Sequence, residues 1–162
     1  METRMNINKV FGAIKALRAI SDHQTSSPLE QSLIDLILIR ASQINHCAFC
    51  LDMHTKDARV SGETEQRIYA LSAWRETPFF TERERAALTW TEAVTVPTQN
   101  GVPDELYAQV REQFTEEEVV SLTMAVITIN SWNRLNVSLQ FNIPGSYKSQ
   151  RHPDAVHAAV AG

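Results

Sequence analysis

The chain has 162 residues, 43% hydrophobic and 21% charged, which is the balance of one compact globular domain. Its 15 Lys and Arg stand against 19 Asp and Glu, a net charge of −4, and no basic run is available to neutralise phosphates, which argues against nucleic-acid binding. The longest aliphatic run, Leu36-Ile37-Leu38-Ile39, is far short of the ~20 apolar residues of a membrane span, and the polar start Met1–Asn6 is no secretory signal, so the expectation is a cytoplasmic protein that touches no membrane.

Helical periodicity runs from end to end. Val10, Phe11, Ile14, Leu17 and Ile20 form one stripe on a first helix over about residues 9–22. Ser27-Pro28-Leu29-Glu30 reads as a capping box with Pro at the first helical position, opening a second helix to about Ser42. That helix is apolar nearly all round, which predicts burial on several sides. A third helix is expected from Asn45, closing at Ser61-Gly62, and a fourth over about Thr64–Ala73. Thr81-Glu82-Arg83-Glu84 and Thr115-Glu116-Glu117-Glu118 are two further capping boxes, each preceded by Phe, 34 residues apart. Two copies are too few for a solenoid, so the likeness is one way of starting a helix used twice. A short helix over 103–113 lies between them, and a long one reaches toward Gln140. With no alternating strand pattern, the expected fold is all-α: about seven helices in a single domain over 1–162, with a core over 9–143 and a polar tail over 144–162 that either frays or docks. Asn130, Ser131, Asn133 and Asn136 form a polar stripe beside Trp132 and Arg134, read as a subunit contact.

Cys47 and Cys50 are the two cysteines, and a lone pair at this spacing in a reducing compartment points to catalysis or metal rather than to a fold staple. On a helix Cys47, Cys50 and His54 share one stripe. Sulfurs at i and i+3 can bridge, and His54 is an i+4 neighbour of Cys50, placed to exchange its proton. With Asn45 as the cap, both sulfurs lie in the first two turns, where unpaired N–H groups favour thiolate. Asp35 interrupts the aliphatic helix, and an antiparallel helix pair turning at Ile44–Asn45 sets it level with His54, so that a carboxylate orients an imidazole that acts on a thiol. Other readings of these residues are a zinc site completed by His46 or an aspartate, and two buried inert thiols.

Gln43-Ile44-Asn45, Cys47, Cys50 and Met53-His54-Thr55, together with Thr81–Leu88 and Asn130–Leu135, resemble the alkylhydroperoxidase D-like (AhpD-like) branch of the carboxymuconolactone decarboxylase family over most of residues 28–145. The resemblance implies an all-α fold assembling as a homotrimer or homohexamer, and thiol peroxidase chemistry with no cofactor and no metal. It also implies an acidic residue, usually Glu, twelve positions before the first cysteine, where this chain has Asp35, one methylene shorter. The expected activity is a hydroperoxide reductase: Cys50, helped by His54 and Asp35, attacks peroxide and becomes a sulfenic acid, Cys47 condenses with it, and an external dithiol resets the disulfide. Cys47 is nearer the positive helix end and Cys50 nearer the base, so either sulfur can lead. The alternatives are a dithiol–disulfide oxidoreductase with little peroxidase activity, and a non-catalytic oligomeric stress-associated module.

Overall fold

A computed structural model describes residues 2–6, 11–23 and 26–151. Among these the chain is all-helical: α1 (Phe11–His23), α2 (Gln31–Ile44), α3 (Ala48–Val60), α4 (Glu65–Ala70) continuing into a 3₁₀ segment (Leu71–Glu76), α5 (Glu82–Thr95), α6 (Pro97–Asn100), α7 (Asp104–Arg111) and α8 (Glu116–Leu139). No helix among the described residues is long and apolar enough to cross a membrane. The eighth helix, one more than expected, is the single turn α6, started by Pro97 and ended by Gly101 at φ +63°. Val10 and the Ala-rich end of the tail lie outside the described residues.

α2 is the central helix. One side, through Leu33, Ile37 and Ala41, packs with Trp90 of α5 and with Leu122, Val126 and Ile129 of α8. The other side, through Leu36 and Ile39, packs with Ala58, Ile68, Leu71, Trp74 and Leu88. Two cores on opposite faces explain why its sequence carries no polar stripe.

Two expected helix starts differ. Ser27 does not cap α2: its Oγ accepts from the Leu29 N–H at 3.2 Å, α2 begins at Gln31, and Glu30 is drawn to Arg83 at 3.0 Å. The serine turns the chain back on itself locally, and the helix starts three residues later. Asn45 does not cap α3 but closes α2, in a Schellman motif. There the His46 N–H donates to Gln43 O at 3.2 Å and the Cys47 N–H to Ser42 O at 3.0 Å, with His46 in the left-handed region at φ +54°. The other end of α3 closes as expected: Gly62, at φ +94°, and Glu63 bond back to Arg59 and Ala58.

The polar stripe on α8 turns inward. Asn130, Asn133 and Asn136 are buried within the chain, while Ser131, Trp132 and Arg134 keep some exposure. Asn45 Nδ2 lies 2.9 Å from Asn130 Oδ1 and 3.0 Å from Asn133 Oδ1, while Asn133 donates to Ser42 at 3.1 Å and Asn130 to Thr95 at 3.1 Å. A buried amide must find partners, and here the partners are the two residues flanking the α2–α3 turn. The network fixes the loop that delivers Cys47.

Candidate active site

The short turn between α2 and α3 makes Cys47 the N-cap of α3, and its sulfur accepts the Cys50 N–H at 3.4 Å. Cys47 and Cys50 are joined in a disulfide across this first turn, with Cα atoms 5.3 Å apart. Both are 1% exposed. The N-terminal end of α3 puts both sulfurs where free N–H groups favour negative charge. His54 lies one turn beyond Cys50 on the same helix, buried, and neither ring nitrogen has a hydrogen-bond partner among the described residues.

Cys50 and His54 open onto a cavity of about 430 Å³ between α1, α3 and α8. Its wall is mostly apolar, from Leu38, Phe49, Met53, Ile129 and Trp132, with Arg18 and Asp22 of α1 at its polar part. Trp132 is fixed by an indole N–H bond to Ser21 at 2.8 Å. Cys47 does not line this cavity. Other concavities, beside α5 and α7 and beside α3 and α4, reach neither cysteine.

Asp35 is 1% exposed, and its carboxylate is held by Arg151 through two bonds, from Nη1 at 2.6 Å and Nη2 at 2.8 Å, and by Gln31 at 2.9 Å. Thus Cys47, Cys50 and His54 are brought together on α3, while Asp35 meets an arginine of the tail and makes no hydrogen bond to His54. Burial pushes the Asp35 carboxyl up, and the Arg151 hydrogen bonds and charge act against it. Burial lowers His54 to about 4; the charge of Asp57 opposes this and that of Arg151 adds to it. Burial therefore keeps the imidazole neutral at physiological pH and makes it a weaker base than a free histidine. No three His, Cys, Asp or Glu side chains among the described residues stand together as metal ligands.

Residues 145–151 run alongside α3, and their partners escaped sequence reasoning. Gly145 N–H donates to Asp52 at 3.0 Å, the Tyr147 hydroxyl to both Asp57 oxygens at 3.0 and 3.1 Å, and Ser149 to Asp57 at 2.5 Å. Tyr147, Ser149 and Arg151 alternate along the sequence, which puts all three on one side of an extended segment. That alternation was the available signal.

The sequence pattern of the carboxymuconolactone decarboxylase family matches residues 10–93. The uncharacterized protein YdfG of Bacillus subtilis is 46% identical over 126 residues, 78% of this chain and 86% of that one. A crystal structure from Agrobacterium tumefaciens, of a protein of unknown function linked by its description to antioxidant defence and AhpD, superposes with a TM-score of 0.84 at 45% identity, covering 88% of this chain and 99% of that one. The debrominase Bmp8, seen in complex with 2,3,4-tribromopyrrole, shares the fold at 17% identity and a TM-score of 0.76, over 95% of this chain and 79% of that one. On the family match, the close relatives and the shared helical architecture, the chain belongs to the carboxymuconolactone decarboxylase family, in its AhpD-like branch.

Proposed function

We propose that the chain is a thiol-dependent hydroperoxide reductase. The observation that carries this is that Cys50, one half of a disulfide with Cys47, stands one helical turn from a neutral His54, both on the wall of the same largely apolar cavity. The order of events follows from access. Only Cys50 faces the cavity, so in the reduced protein it gives its proton to His54 and its sulfur attacks the terminal oxygen of an organic hydroperoxide. The O–O bond breaks, the alcohol leaves with a proton from the imidazole, and Cys50 carries the hydroxyl as a sulfenic acid. Cys47, whose deprotonation the N-cap favours, then attacks that sulfur; its proton passes to the departing hydroxyl, so that the disulfide forms and water leaves. Asp35, expected as a relay member, is paired with Arg151 and Gln31 and takes no direct part in this proton transfer. Two electrons from an external dithiol, a thioredoxin-like or lipoyl-type donor of a reducing cytoplasm, restore both thiols.

The reading includes a homotrimer or homohexamer as the working unit. Val120 and Ile127, two turns apart on α8, are 63% and 45% exposed and support such an assembly, which light scattering tests by mass.

Stopped-flow consumption of an alkyl hydroperoxide with dithiol in excess decides the reaction. Turnover should vanish in Cys50→Ser, and Cys47→Ser should stop after one equivalent. Unchanged turnover in both variants excludes the mechanism. Rapid dithiol exchange by a wild-type protein that leaves peroxide untouched selects the dithiol–disulfide oxidoreductase instead.

A further inference from the structure

We propose that Trp132 is the specificity-determining residue of this site: its ring, held by Ser21, seats the bulky apolar body of an organic hydroperoxide, aromatic or branched, and favours such a substrate over hydrogen peroxide. The inference rests on the thiol reading above and adds to it the residue that chooses among peroxides.

The cavity takes its lining from helices at helical spacing: Phe49, Cys50 and Met53 from α3, Ile129 and Trp132 from α8, and Ser21 from α1. The sulfur stands in one wall and the indole, the largest side chain of the lining, in another. The indole is not free to choose its place. Its N–H donates to Ser21 Oγ at 2.8 Å, and the Ser21 hydroxyl gives its own hydrogen to the Leu17 carbonyl at 3.0 Å. The serine is left as an acceptor toward Trp132, so the two bonds fix each other's direction and tie α8 to α1.

An indole has one donor, and here Ser21 engages it, so what the ring offers the cavity is carbon. Such a surface gains most from an apolar or aromatic body. Size points the same way. Water takes about 30 Å³ of its liquid, so hydrogen peroxide, with two oxygens, leaves most of a cavity of about 430 Å³ unfilled. That volume lies within the range of about 300–1,000 Å³ that holds small organic ligands. An aryl or branched alkyl group displaces water from Phe49, Met53, Ile129 and Trp132 together. Phe49 adjoins Cys50 in sequence and Met53 follows it by one helical turn, so the surface that seats the body also carries the sulfur. Seating therefore raises the effective concentration of the O–O bond at Cys50.

The test compares cumene hydroperoxide with hydrogen peroxide in the full chain, with dithiol in excess. The readout is the ratio of the two kcat/KM values, which does not depend on how much of a variant is folded. Trp132→Leu should lower that ratio at least about tenfold, chiefly through KM for cumene hydroperoxide. Ser21→Ala, which frees the indole, should lower it less, and Ser21→Thr, which keeps the hydroxyl, should restore it. A ratio unmoved in Trp132→Leu overturns the proposal; if that variant fails to fold, a ratio unmoved in Ser21→Ala does so. A second readout needs no turnover. Titrated into the disulfide form, 2-phenyl-2-propanol, the alcohol that cumene hydroperoxide leaves, should shift the Trp132 indole N–H and the Met53 methyl NMR signals to saturation. Trp132→Leu should weaken its Kd, read at Met53, about tenfold. Peroxide turnover by a wild type in which the alcohol leaves either signal unmoved overturns the seat and spares the reductase reading. Saturable binding of the alcohol by a wild type inert to both peroxides defeats the reductase reading and leaves the seat standing.

Discussion

α5 and α8 begin with hydroxyl and carboxylate, α3 with sulfur and sulfur. At α5, Thr81 accepts the Glu84 N–H at 3.2 Å and Glu84 accepts the Thr81 N–H at 2.8 Å; Thr115 and Glu118 repeat both distances at α8. Each box is backed by an arginine. Arg67 meets Glu84 at 2.5 Å and lies over Phe80, and Arg83 meets Glu118 at 2.6 Å and lies over Phe114. Each arginine also donates to the carbonyl of the residue before that phenylalanine, Phe79 and Gln113. At α3 the cap is Cys47 and the position that closes the box holds Cys50. One arrangement satisfies two N–H groups at each helix start and anchors the bundle. The other gives up the reciprocal carboxylate and places two sulfurs where negative charge is favoured, one turn before an imidazole that has no hydrogen-bond partner among the described residues.

The difference can be broken at either end. The largest effect is expected at the sulfur-capped helix: Cys50→Ser should lower peroxide turnover by about 10³-fold or more, whereas Thr81→Ala should leave it unchanged. In Cys47→Ser, a sulfenic-acid trap should label Cys50 after one equivalent of peroxide, read by peptide mass.

Next comes pH. His54 titrates at about 4 in the fold against an ordinary 6.5, so the unfolded chain binds the extra proton between those values and stability falls as pH drops through that window. The loss should approach about 3 kcal/mol by pH 4. Asp35, pushed above 3.8, acts with the opposite sign, since the fold then holds the extra proton, and it shallows the slope. Urea unfolding of wild type and His54→Gln isolates the histidine: the variant should lose the decline between pH 6.5 and 4.

A smaller change is expected behind the cysteine loop. Asn133→Ala strands buried partners at Ser42 and Asn45 and should cost about 2 kcal/mol in denaturant unfolding. Smallest are the hydroxyl caps. Thr81→Ala and Thr115→Ala should each cost about 1 kcal/mol, and to similar extents, since the two boxes match.

Much of this was legible in residue order. The aliphatic run of Leu33–Ile39, broken only by Asp35, announced a central helix, and both Thr-x-x-Glu boxes form where the pattern puts them. The Cys47, Cys50, His54 stripe follows from helical pitch alone. What could not be read depends on distant partners. Ser27 had the letters of a cap, but its hydroxyl found a nearer N–H. Asn45 had the type of an N-cap, yet its amide is claimed by Asn130 and Asn133, some 85 residues on. Asp35 was recognisable as costly in its helix, while its partner in the tail was visible only as one of several polar residues.

Site-resolved alkylation of the reduced protein over a pH series, followed by mass spectrometry, bears most directly on the central claim that α3 activates its sulfurs. Cys50, which faces the cavity, should react half-maximally near neutral pH in the native state, against about 8.5 in the denatured chain, and His54→Gln should move the native curve upward. Native curves for both cysteines that coincide with the denatured one would contradict it.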